Sequence, residues 1–217
     1  MVLLLPGDIF VTWVSASDVP KANVKTALQE HAAFFDVNGD GIVRFGETRT
    51  GLRRLGLGSV MSLGLASIIH VFLGPLTNGS IAFTISVERI SRGRHVFDTG
   101  AFDLGGKFDA MAFECIFDAT GDGVVAKPQD RVTRQELRRL IVARGRREPG
   151  SSWRVKLLAN FFSWAEVKVL FCLASDCTKQ VNNQSVAALS RRRLRAFFSG
   201  TLLHALARRR RVTASVA

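Results

Sequence analysis

Apolar side chains fall at helical spacing near the start of the chain. Val24, Leu28, Phe34 and Phe35 do so over residues 23–35, and residues 45–57 have the makings of a second helix. The stretch between them is polar and glycine-rich, so the pattern predicts helix, loop, helix. Charge then disappears: residues 55–87 contain no Asp, Glu, Lys or Arg. Residues 57–76, LGSVMSLGLASIIHVFLGPL, are long and apolar enough for a membrane-associated helix, and the same run also suits a buried core helix. Gly74-Pro75 and Asn78-Gly79 predict breaks at its end, and Ile81, Phe83, Ile85 and Val87 then alternate with the small Ala82, Thr84 and Ser86 as in a strand. A further apolar segment, Trp153 to Ala174, fits a helix in a headgroup layer or one packed on a core. These patterns predict a mainly α protein. Its parts are an unassigned segment (1–22), a helix-loop-helix unit (23–56), a hydrophobic arm (57–90), a helical C-terminal region (91–206) and a basic tail (207–217).

Composition narrows the class. A chain of 217 residues that is 47% hydrophobic can build a core, which excludes wholesale disorder. Its net charge of +12 is confined to two late patches: residues 131–156 hold nine basic and two acidic side chains, and residues 191–217 hold eight arginines and no acid. Such patches suit an anionic lipid surface. A nucleic-acid partner has charge alone behind it, without a recognition motif. Cys115, Cys172 and Cys177 form no C-x-x-C pair, which excludes a zinc finger and a disulfide framework. The apolar N-terminus lacks a basic lead and carries Pro6, so it does not resemble a secretory signal.

The polar loop has specific chemistry. Residues 36–47, DVNGDGIVRFGE, match the twelve-residue EF-hand loop position by position. Asp36, Asn38 and Asp40 offer side-chain oxygens, Gly41 permits the sharp turn, Ile42 offers its carbonyl, and Glu47 closes the shell. Three carboxylates suit a hard divalent cation, so calcium is the predicted ion. Arg44, where a water-bridged ligand is usual, brings a positive charge close and should weaken affinity. Val43 is the residue expected to pair with a partner loop. A second acidic stretch, from Asp118 to Asp122, lacks the closing Glu because Gln129 stands there, and reads as a degenerate, empty partner.

Taken alone, none of His31, His70, His95 and His204 stands out as a ligand. LQEHAAFFDVNGDGI (28–42), followed by ETRTGLRRLGLG and a long uncharged arm, resembles the caleosin family of calcium-binding lipid-droplet proteins. ISVERISRGRHVFDTGAFDLGGKFD (85–109) is similar to that family's stretch after its membrane arm, and Glu136-Leu137, the helix around Trp164 and the segment near Gly200 follow its order. The resemblance implies a haem-dependent peroxygenase that moves oxygen from a fatty-acid or other organic hydroperoxide to an unsaturated lipid. It assigns haem b to His31 and His95, one as iron ligand and the other as proton carrier. It also implies residence at a lipid droplet or endoplasmic-reticulum membrane, and is compatible with a homo-oligomer. Two departures stand out: Pro75 is the only proline between Lys21 and Lys127, so the family's proline-rich knot is missing, and Phe45-Gly46 replaces its Pro-Trp. A non-catalytic calcium-binding membrane protein is the alternative.

Overall fold

Thr26 starts the first helix. Its hydroxyl accepts the Gln29 amide (3.3 Å) while the Gln29 side chain accepts the Thr26 amide (2.9 Å), a reciprocal cap that opens α1 (Ala27–Ala33). The computed structural model describes residues 24–79, 83–93, 99–119, 130–147 and 153–216. Past the acidic loop, β1 (Ile42–Arg44) runs directly into α2 (Phe45–Arg54), and α3 (Ser59–Asn78) leads to β2 (Thr84–Ser86) and a 3-10 turn at Ile90–Gly93. The later half comprises α4 (Ala110–Ala119), β3 (Arg131–Thr133), α5 (Arg134–Arg147), α6 (Trp153–Ala174), β4 (Cys177–Val181), β5 (Gln184–Ser190), α7 (Arg191–Phe198) and α8 (Leu202–Val216).

The mainly α reading holds, with two differences in the elements. α3 does not break at Gly74-Pro75. It continues to Asn78 and stops at Gly79, whose φ of +71° and amide bond to the Pro75 carbonyl cap it. Proline removes one helical donor, but its neighbours still pair, and the left-handed residue that glycine allows comes four positions later. Strands also appear in the region expected to be helical: β3, β5 and β4 form an antiparallel sheet in that order. The final helix, α8, crosses the boundary expected at 206/207.

The two halves share one plan. In each, a short strand runs straight into a helix, a long helix follows, and a later strand returns to pair antiparallel with the first. Val43 faces Ile85 in the first half, and Val132 faces Leu189 in the second. In both, a glutamate three residues past the strand's end accepts that end's amide. Glu47 Oε2 takes Arg44 N at 2.8 Å, and Glu136 Oε2 takes Thr133 N at 2.8 Å. Among the described residues β1 of the acidic loop pairs with β2; the Asp118 stretch, expected as a degenerate partner, has its residues 120–129 outside the described ones. Short strands bring together residues far apart in sequence, which composition cannot register.

The main core joins both long-range strands and helices: Phe113, Ile116, Phe117, Val132, Leu137, Leu189, Leu194 and Leu202 are essentially inaccessible. Each such side chain contributes about 1.5–3 kcal/mol through burial. A second cluster (Ala32, Val43, Ile85, Val87, Ile90) sits under the acidic loop, and a third (Phe34, Leu55, Leu203) ties α8 to the first half.

Candidate functional site

The acidic loop carries its donors in the predicted order. Asp36 accepts the Gly39 and Gly41 amides, each at 2.9 Å, and Glu47 accepts those of Val37 (3.1 Å) and Arg44 (2.8 Å). Gly39 and Gly41 adopt φ of +74° and +80°, conformations in which other residues are strained, so the amides can point inward. Asp40 differs. Its Oδ2 meets Arg44 Nη1 at 2.6 Å, and that bond, with those from the Ile42 amide and Asn38, holds its carboxyl below the usual range. Among the described residues no three His, Cys, Asp or Glu side chains converge as a preformed metal cluster. The loop carries its oxygen donors in order, with the fifth position turned towards an arginine.

His31 lies in the last turn of α1, five residues before Asp36. Three distant elements enclose it. The Phe197 ring of α7 packs edge-on at 4.5 Å, His204 of α8 lies nearby, and the turn at Gly200 abuts α1. A Cβ at Gly200 would sit 2.7 Å from the Glu30 Cβ and 2.9 Å from the Ala27 carbonyl, and the residue's φ is +81°. Only glycine lets that turn close on the helix. On its other side α1 is tied down by the Leu28 amide, which donates to the Gly106 carbonyl at 3.1 Å.

The environment keeps His31 neutral. Burial, and then the field of His204, lower its pKa to about 4, against a smaller upward pull from the Phe197 backbone. Its Nδ1 is fully covered and has no hydrogen-bond partner among the described residues. The imidazole contributes to the wall of a cavity of about 300 Å³ between the halves, with Leu28, Ile69, Leu73, Phe102, Leu170 and Leu203 among its other lining residues. Among the described residues, His31, Thr48 and Glu166 are the only lining ones with polar side chains. Such a chamber suits an apolar molecule and a group needing one imidazole. His95, the other predicted haem residue, lies outside the described residues.

His70 has a different role from either. It is fully buried on α3, with Nδ1 at 2.8 Å from the Phe83 carbonyl and Nε2 at 2.8 Å from the Thr48 hydroxyl. A carbonyl only accepts, so Nδ1–H donates to it, and in the neutral ring Nε2 accepts from Thr48. The ring thus bridges α2, α3 and the approach to β2. Sequence reasoning missed both this bridge and the cavity wall, since the residues involved are scattered and mostly aliphatic.

The family model described as Caleosin related protein matches residues 23–207. A protein of Arabidopsis thaliana named "Probable peroxygenase 4" is 33% identical over 187 residues, covering 84% of this chain and 86% of that protein. A "Peroxygenase" of Lilium longiflorum is 28% identical over 189 residues, covering 83% of this chain and 70% of its own. No solved structure matches.

Proposed function

The chain belongs to the caleosin family and is a peroxygenase, an oxidoreductase, and from that premise we propose that it is haem-dependent, calcium-binding and active at a lipid droplet or endoplasmic-reticulum membrane. Its substrates are an organic hydroperoxide and an unsaturated lipid. The observation that carries this reading is His31: a half-buried residue whose imidazole is neutral at physiological pH, with a covered, unpartnered Nδ1 and a place in the wall of an apolar cavity.

Those properties fit haem b. A neutral imidazole is the form that ligates iron, and a dry aliphatic wall suits both a porphyrin face and an acyl chain. When bound, haem supplies the cleavage of the hydroperoxide O–O bond and the transfer of one oxygen to the lipid double bond, the other leaving as alcohol. The chain supplies position and protons. One of His31 and His95 holds the iron; the other takes the hydroperoxide proton and returns it to the departing alcohol oxygen. The aliphatic lining keeps water from the reacting atoms and aligns the lipid chain.

Calcium is held by Asp36, Asn38, Asp40, Glu47 and the Ile42 carbonyl. The donor set fits a hard cation, with amides already orienting Asp36 and Glu47. Because His31 and Asp36 sit at one helix end, calcium occupancy sets the geometry of the imidazole. The membrane reading is supported by α3, a 20-residue helix long and apolar enough to cross a bilayer, whose outward side exposes Val60, Met61, Leu63, Val71 and Leu76. Its inner side is packed into the fold through Ser62, Ala66, His70, Gly74 and Thr77, which favours residence at a surface.

The test is an absorption spectrum of detergent-purified, haem-supplemented protein beside His31→Ala and His95→Ala. A Soret band lost or shifted in either variant supports ligation. No band beyond that of free haem in the intact protein removes haem from the reading. Titrating calcium while following the band tests the coupling, which an unchanged spectrum through saturation would sink.

A further inference from the structure

α6 occupies in the second half the place that α3 holds in the first, and it too presents an apolar side outward. Trp153, Leu157, Phe161 and Trp164 fall at spacings of four, four and three residues and are 70%, 60%, 53% and 46% exposed. The helix enters the main core through Ala159, Val167, Leu170 and Phe171. The stripe is therefore an outer surface of the folded molecule, and so large a run of aromatic surface marks a contact.

Its surroundings indicate the partner. α5 packs alongside on the same core, through Leu137 and Ile141, and Arg138 of α5 reaches Asn160 Oδ1 at 2.6 Å. The outward sides of the two helices thus adjoin, and that of α5 carries exposed Arg134, Arg139 and Arg146. Lys168 lies over the Trp164 ring at 4.9 Å and extends the cationic border. The only acid of α6, Glu166, contributes to the cavity wall.

We propose that this α5–α6 face docks on an anionic phospholipid bilayer. Indole rings favour the boundary between headgroup and acyl chain, where one edge is dry and the other wet, and the arginines meet the phosphates above. The face is distinct from α3, so the molecule grips the membrane from both halves. This rests on the reading that the chain works at a lipid surface, but it does not depend on haem.

The experiment is flotation of the full chain with phosphatidylcholine vesicles, with and without phosphatidylserine. Phe161→Glu/Trp164→Glu is expected to weaken partitioning at least tenfold on both. Arg139→Glu/Arg146→Glu should weaken it about tenfold on the phosphatidylserine vesicles alone. The circular-dichroism spectrum and melting point in detergent, unchanged in both variants, show that they fold. Wild-type binding that survives both variants overturns this proposal and leaves α3 as the anchor. A dimer of the wild type that the aromatic variant dissolves, with vesicle binding unchanged, overturns it in favour of self-association. Failure of the wild type to bind any vesicle overturns membrane residence altogether.

Discussion

Under the proposed calcium binding, Arg44 competes with the cation for Asp40. The 2.6 Å contact must loosen for the carboxylate to turn inward, and the guanidinium stays near the ion afterwards. Arg44→Ser should raise calcium affinity about fivefold, read by calorimetric titration, the size expected for an exposed pair. His31 makes a prediction of a different kind. In the unfolded chain it takes a proton near 6.5, in the fold only near 4. Between those values the unfolded chain binds more protons, so stability rises with pH through that window and is lost as pH falls through it. Denaturant unfolding of the haem-free chain should therefore show a steeper acid loss in the wild type than in His31→Leu. Identical profiles from pH 4 to 6.5 would argue against a buried, neutral imidazole.

Packing between elements places the imidazole. Gly200→Ala adds a methyl where α1 already stands and forces a strained φ, which should cost about 1–3 kcal/mol. Because α1 carries His31, haem retention should fall too, measured as the Soret-to-protein absorbance ratio on gel filtration. The His70 bridge tests the seat of α3. His70→Ala leaves the buried Thr48 hydroxyl unpaired and frees the part-buried Phe83 carbonyl, and should destabilise by about 1–3 kcal/mol in denaturant unfolding. Loss below about 1 kcal/mol would mean that water enters and that α3 is less firmly seated than its burial implies. At this scale the sequence was informative about where helices lie and silent on what they face. Residues 153–174 read as a helix from their apolar content, yet lipid and core explained that content equally. The structure divides it, with Phe162 and Leu170 inward and Phe161 and Trp164 outward.

At the scale of the whole molecule, the halves repeat one arrangement and differ in what holds it. In the first, Asp36 and Glu47 accept backbone amides and Asp40 pairs with Arg44. In the second, Lys179 Nζ sits 2.5 Å from Glu136. Burial alone would raise the pKa of that glutamate, but the bonds from Lys179 and Thr133 outweigh it and hold the group ionised. A fixed ammonium thus stands beside the closing glutamate of the second half. α8 then spans the halves, with Leu202, Leu203 and Leu206 all on the cavity wall. Removing residues 202–217 should uncover that wall. An apolar fluorescent dye should bind more strongly to the truncated chain, and its melting point should fall further than in any single variant above. Unaltered dye binding would place the cavity's closure elsewhere.

Features written within a short span of chain were legible without coordinates. The loop's donor order, the glycines at its turns, the helix ahead of it that carries His31 and the uncharged run of α3 each depend on neighbours a few residues apart. The family resemblance drew on the same local motifs. Tertiary structure decided what depends on distant packing. Phe197 and Gly200, some 170 residues from His31, close over its helix, and burial with the field of His204 keeps the imidazole neutral. Ile85, more than 40 residues from Val43, pairs opposite it across the two short strands. Burial is a property of what surrounds a side chain, and composition does not record which face of a helix another helix covers.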